Sequence, residues 1–290
     1  MLAQATVNGI LLGGLYGLAT VGFSMVWGVM GVINLAHTAF ITLGAYVTYV
    51  LFERYGVDPL LSMPLAMASM FVLGYGIQRL ILNHVIRTSL LLSLVVTFGI
   101  ELVLTDATVL IFTSDVRSVN ASYASSSVAV FGTLVPVVRL LAAGLSLALG
   151  VGFFVFLRRA SLGQAILATA LDREMSNLMG INPQQVFALT AGAGAALAGA
   201  AGSLSSMLFP VSPTMGVSFL GAVFVITVLG GIGSVEGCIV AGFLYGLVQA
   251  WAAYWLGTSF QEIVAFAMFL GVLVVRPQGL FGRAFFGEHA

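Results

Sequence analysis

Few side chains in this sequence could do chemistry, and each sits in apolar surroundings. The stretch 28–47, GVMGVINLAHTAFITLGAYV, places Asn34, His37 and Thr38 between two long apolar segments. Asn carries an oxygen that can cap a helix end, and His carries a ring nitrogen that can reach a carbonyl. Two readings follow. Either these residues satisfy the backbone of a polar break, or they line a path along which a solute moves. Glu101 and Asp106 lie in the apolar run 89–112, Glu236 lies in GIGSVEG, and Glu262 opens the last apolar run. An ionisable group inside an apolar span is costly and is a functional candidate for that reason. Glu101 is the deepest of the four. It reads as a partner for an Arg such as Arg139, as a protonated acid held by hydrogen bonds, or as a proton carrier. No metal site is expected, because His84 and His289 are distant from His37 and lack ligand spacing. No Ser-His-Asp or Cys-His grouping stands in register, so catalysis is not expected.

The elements that must hold these residues are membrane helices. Of 290 residues, 60% are hydrophobic and 7% charged, against about 25% charged in soluble domains. Such a chain cannot cover its own surface with polar groups, so lipid is its solvent. The ten cationic side chains are all Arg and the net charge is zero. Without a basic patch, no nucleic-acid role is expected. Cys238 is the single cysteine, which excludes an internal disulfide. The opening MLAQATVNGILLGGLYGLAT lacks a basic leader and reads as the first membrane helix.

A spanning helix needs about 20 apolar residues. Segments 5–29, 60–80, 89–112, 134–157, 187–207, 238–257 and 262–276 qualify. Two shorter ones, 38–52 and 217–233, border Gly-rich or polar sequence, the pattern of broken or re-entrant helices along a pathway. The expectation is an all-α polytopic transmembrane bundle of eight or nine spans, one domain over 1–290. Arg79, Arg87, Arg158, Arg159, Arg173, Arg276 and Arg283 fall on one side if the spans alternate, which makes that side cytoplasmic. Arg54, Arg117, Arg139 and the polar stretch 113–132 are then outside. Nine spans put the N-terminus outside, and eight put it inside.

Small residues recur every fourth position at Gly9, Gly13 and Gly17, at Gly194, Ala198 and Gly202, and at Gly242 and Gly246. Such rows let helix backbones approach closely, within this chain or between chains. The first and last thirds share an order of apolar helix, Gly-rich break and apolar helix, as in a degenerate internal repeat.

The longest polar connection is 158–186, RRASLGQAILATALDREMSNLMGINPQQV. Leu167, Leu171, Met175 and Leu178 share one face of a helix, and Asp172, Arg173 and Ser176 fall off it. Gly180 should stop this helix. Asn182 should cap the next, with Pro183 in its first turn. An amphipathic helix here either lies in the membrane interface or offers its apolar face to a soluble partner.

Three stretches carry a family resemblance: GLYGLATVGFSMVWGVMGVINLAH, SLGQAILATALDREMSNLMGIN, and VLGGIGSVEGCIVAGFLYGLVQ with RPQGLFGR. Together, in this order over nearly the whole chain, they resemble the LivH-type permease subunits of ABC importers for branched-chain amino acids. The resemblance implies a multi-pass subunit of the cell inner membrane without catalysis of its own. Its implied partners are a LivM-type second permease subunit, two ABC ATPase subunits that bind ATP and Mg, and a periplasmic solute-binding protein. No cofactor is implied in this chain. The resemblance further implies that 158–186 is a cytoplasmic coupling loop, with Asp172, Glu174, Met175 and Gly180 as ATPase-coupling candidates. Asn34, His37, Thr38 and Glu101 become candidates for lining the path. The family motif at 34–39 reads Asn, a hydrophobic residue, Ala, His or Gln, Gly, and an acid. Thr38 and Ala39 depart from it, and AFITLGAY resembles the LivM-type subunit instead, which leaves the solute open. The alternative function is a stand-alone proton- or ion-coupled carrier using Glu101 or Asp106.

Overall fold

Lipid offers a peptide group no hydrogen-bond partner, so a chain this apolar satisfies its backbone within helices. The computed structural model describes residues 2–85, 90–121, 123–124, 126–130, 133–276 and 278–281. The helices are α1 (Leu2–Met30), α2 (His37–Tyr55), α3 (Pro59–Ile77), α4 (Asn83–Val85), α5 (Leu90–Phe112), α6 (Val137–Arg159), α7 (Ser161–Leu171), α8 (Arg173–Leu178), α9 (Pro183–Ser206), α10 (Val217–Gly230), α11 (Val235–Leu256) and α12 (Gln261–Val275). A π-helical turn, Gln78–Leu82, joins α3 to α4. Each expected membrane segment is a helix, with ends shifted by a few residues. Among the described residues, seven helices are long and apolar enough to cross a membrane. With the less apolar α2 and the 14-residue α10, the chain makes alternating passes. The fold is a multi-pass helical bundle.

Arg79, Arg158, Arg159, Arg173 and Arg276 gather at one end of this bundle, and Arg54, Arg117 and Arg139 at the other. Arg87, Arg283 and His289 lie outside the described residues. At the second end a short hairpin interrupts the all-helical pattern. Strands β1 (Ser127–Val130) and β2 (Thr133–Pro136) pair antiparallel, with Val128 opposite Val135. Nothing in the polar stretch 113–132 predicts these strands.

The small-residue rows find their partners within this chain. A Cβ on Gly13 would lie 2.6 Å from the Gly242 carbonyl oxygen, and one on Gly9 would lie 2.7 Å from that of Gly246. The rows of α1 and α11 therefore bring backbone against backbone. On α9, Gly194 faces Gly22 of α1, Gly199 faces Gly44 of α2, and Gly202 abuts Ile41 of α2. With side chains absent from these contacts, α1 and α9 sink into the centre and are mostly buried, whereas α5 and α12 are mostly exposed.

The packing order matches that of an inverted repeat. Helices α1, α2, α3 and α5 correspond in order to α9, α10, α11 and α12. α1 packs on α11 as α9 packs on α3; α2 packs on α9 as α10 packs on α1; α5 meets α2 as α12 meets α10. α1 ends at the Arg-rich end and α9 begins there, so the halves run in opposite directions. Gly22 of α1 and Gly194 of α9 meet backbone to backbone where the two halves join.

Candidate functional site

The break after α1 turns the chain back into the bundle. Gly31, at φ +69°, ends the helix by donating to the Trp27 carbonyl. Residues 31–36 then climb without helical structure to the level of Ala19, midway along α1. Here His37 starts α2. Its Nε2 lies 2.8 Å from the Ala19 carbonyl oxygen, and its ring stands edge-on to Phe23. A carbonyl only accepts, so Nε2 carries the proton.

Several polar groups of the break have local roles. Asn34 Oδ1 accepts from the Ala36 amide at 3.1 Å, and the Asn34 carbonyl accepts from the His37 amide. Asn34 thus forms a turn two residues ahead of the N-cap, which is Ala36. Thr38 Oγ1 donates to the Leu35 carbonyl. Thr97 of α5 reaches in, accepting from the Leu35 amide and donating to the Ile33 carbonyl. Asn34, His37 and Thr38 are all buried.

The second break, 207–216, enters from the opposite end. The Gly216 amide, at the head of α10, donates to Thr42 Oγ1 at 3.0 Å. A side chain at 216 would collide with the Thr38 carbonyl. α2, of 19 residues, and α10, of 14, therefore both begin deep in the bundle, and their N-terminal, partially positive ends converge. Glu101 lies apart from this junction, on α5. It is 9% exposed, and its Oε1 accepts from Thr105 of the same helix at 3.1 Å. Among the described residues the ion pair is Arg158 with Glu236, at 2.8 Å, so Arg139 does not supply the partner expected for Glu101.

The 158–186 connection departs from the single amphipathic helix expected. Asp172 takes an extended conformation and splits it into α7 and α8. Its carboxylate accepts from the Glu174 and Met175 amides at 2.9 Å, capping α8. A short acidic side chain competes for backbone donors here and outweighs the apolar periodicity. The apolar face is also turned outward: Leu171, Met175, Leu178 and Met179 are exposed, Leu178 by 80%, and Ser176 is buried in their place. Gly180 behaves as expected. At φ +84° it closes α8, with Ile181 donating to the Ser176 carbonyl. Asn182 then caps α9 by accepting from Gln184 and Gln185. Glu174 and Gly180 line an open cavity of about 340 Å³ beside Asn177.

Arg173, which periodicity passed over, fixes this segment to the bundle. Its Nη2 donates to the carbonyls of Val29 (3.4 Å) and Met30 (2.5 Å) at the end of α1. Its guanidinium lies 5.0 Å from the Phe187 ring of α9. Burial pulls its pKa below the ordinary Arg value. A cation at a helix C-terminus meets the negative end of the helix dipole. The signal available in the sequence was an Arg beside a capping Asp, close to a helix ending in Gly31.

A family model described as the permease component of the branched-chain amino acid transport system matches residues 5–273. The chain is 32% identical to the high-affinity branched-chain amino acid transport system permease protein BraD of Pseudomonas aeruginosa, over 97% of this chain and 95% of that one. It is 30% identical to the corresponding LivH of Escherichia coli, again over 97% and 95%. It is 23% identical to a probable LivH of Methanocaldococcus jannaschii, over 91% and 88%. No solved structure matches.

Proposed function

The chain belongs to the branched-chain amino acid transport system permease family, and from that premise we propose that it is the membrane subunit of an ATP-driven importer. It forms half of a translocation pathway with a LivM-type second permease. It has no catalysis of its own; ATP and Mg are held by two ABC ATPase subunits. A periplasmic binding protein delivers branched-chain amino acids or a related small solute, and the assembly resides in the cell inner membrane.

The observation that carries this reading is α8. It stands at the Arg-rich end, outside the membrane helices, with Leu171, Met175, Leu178 and Met179 turned outward. A short helix with such a face suits a groove on a soluble partner. Asp172 and Gly180 set its two ends, Glu174 and Met175 sit on its accessible side, and Arg173 ties it to α1. Motion of docked ATPase subunits would reach α1 through that tie and rock the two repeats against each other. Asn34, His37 and Thr38 then act as the hinge seam of the pathway rather than as solute ligands.

The test is purification of the tagged full chain from its own host in mild detergent. Stoichiometric ATPase subunits and a second permease are expected. A chain that purifies alone, yet moves solute into liposomes without ATP, would replace this reading with the carrier.

A further inference from the structure

A polar cavity of about 320 Å³ opens at the Arg-rich end, where α3 passes into its π-helical turn. Its walls include Tyr75, Arg79, Asn83, His84, Gln184 and Gln185, and among the described residues no carboxylate lines it. The π turn explains why Arg79 and His84 share this cavity. Hydrogen bonds in such a turn span five residues, so side chains five apart come to lie on one side. Arg79 Nη1 donates to the Tyr75 hydroxyl at 2.6 Å, and the guanidinium lies 5.8 Å from that ring. Neither contact neutralises the charge. The N-terminal turn of α9, with its partially positive end, contributes Gln184 and Gln185. The cavity is built for an anion.

The face of α3 above it says which anion. Leu61, Leu65 and Val72 are exposed by 74%, 57% and 69%. Their spacing of four and seven places them on one face, and Arg79 continues the row seven residues later. At 1.5 Å per residue, Leu61 to Arg79 covers about 27 Å, close to the hydrocarbon thickness of a bilayer. The half of this face nearer Arg79 is as long as one leaflet, so with the cationic cavity at its end it matches a molecule with acyl chains and a negative headgroup. A free amino acid would find no carboxylate here for its ammonium group.

We propose that this cavity binds the phosphodiester headgroup of an anionic phospholipid, with the acyl chains lying along the α3 face from Val72 toward Leu65. Arg79 and His84 donate to the phosphate oxygens, and the side-chain amides of Gln184 and Gln185 complete the shell. The proposal rests on the membrane location of the chain and is independent of what the chain transports.

The experiment is native mass spectrometry of the delipidated full chain, titrated in parallel with phosphatidylglycerol, phosphatidylcholine and inorganic phosphate. Phosphatidylglycerol should bind at least fivefold tighter than phosphatidylcholine, about the effect of one interfacial cation. Arg79→Gln with His84→Gln should erase this preference, and Arg139→Gln, at the other end, should leave it intact. If the double variant is not monodisperse, Arg79→Gln alone serves, since that side chain faces outward. Equal binding of the two lipids, or a preference that survives the variants, would overturn the proposal. So would inorganic phosphate protecting the site as well as phosphatidylglycerol does, which would make it a soluble-anion site.

Discussion

Replacing Arg173 by Ala should detach α8 from the end of α1. The guanidinium donates to two carbonyls and stacks near Phe187. A hydrogen bond from a charged group contributes about 1.5–3 kcal/mol, and an exposed cation–π contact about 0.5–1 kcal/mol. The guanidinium is partly exposed to solvent, which screens it, and the longer of its two bonds is weak. The low end applies, about 2 kcal/mol for the whole tie. That energy corresponds to about a 30-fold change in a local opening equilibrium. Hydrogen exchange in the full chain should therefore speed up about 30-fold at the amides of Met179, Gly180 and Ile181, which close α8. Arg173→Lys keeps the charge but loses the planar fork, and should fall between wild type and Ala. In the reconstituted importer, Arg173→Ala should lower solute uptake more than ATP hydrolysis, because docking survives while transmission fails. Unchanged exchange at 179–181 together with unchanged uptake would refute the assignment of Arg173 as the tie.

Three further outcomes are expected. Gly13→Val should lower the thermal unfolding midpoint and the yield of monodisperse protein, since its Cβ would sit 2.6 Å from the Gly242 backbone and overpacking costs about 1–3 kcal/mol or more; Gly144→Val, with open space around it, is the control. Glu101→Gln should leave uptake and its pH profile as in wild type, because among the described residues Glu101 bonds along its own helix through Thr105; lost uptake or a changed pH profile would favour the carrier. Burial, reinforced by its bond to Asp58 at 3.0 Å, raises the Tyr123 hydroxyl above the ordinary Tyr value. The folded chain therefore holds this proton more tightly than the unfolded one. The associated stability is full below about pH 10 and is lost as pH rises toward the raised value. Tyr123→Phe should flatten the alkaline limb of unfolding midpoints measured from about pH 8 to about pH 11.

Much of the fold is legible in the sequence because lipid is an unforgiving solvent. A run of twenty apolar residues has one stable backbone solution, so the positions of the spans follow from composition. The caps at Gly180 and Asn182 were legible because few residues favour those conformations. What stayed hidden depended on competition or on distance. At Asp172 a capping carboxylate competes with a helical period, and counting apolar positions does not reveal which prevails. The β1–β2 hairpin grows from a Ser-rich stretch with no alternating core to mark it. Asn34 was read as a helix cap, yet it works two residues earlier, in a turn whose other supports come from Thr97, about sixty residues away. The inverted repeat lies in which helix packs on which, and the two halves need not share side chains to share that pattern.

The glycine contacts along α1 have a mechanical consequence. α1 is 29 residues long and contains no proline. It therefore extends about 43 Å, from one face of the membrane to the other. Backbone touches backbone at Gly9, Gly13 and Gly22, so α1 cannot slide past α11 or α9 without collision. At its far end, Thr6 accepts from the Trp251 indole and Gln4 donates to the Leu134 carbonyl of the hairpin. At its near end, Met30 is held by Arg173. The helix is clamped along its length, so any displacement of α8 that reaches the hairpin must carry α9 and α11 along with α1.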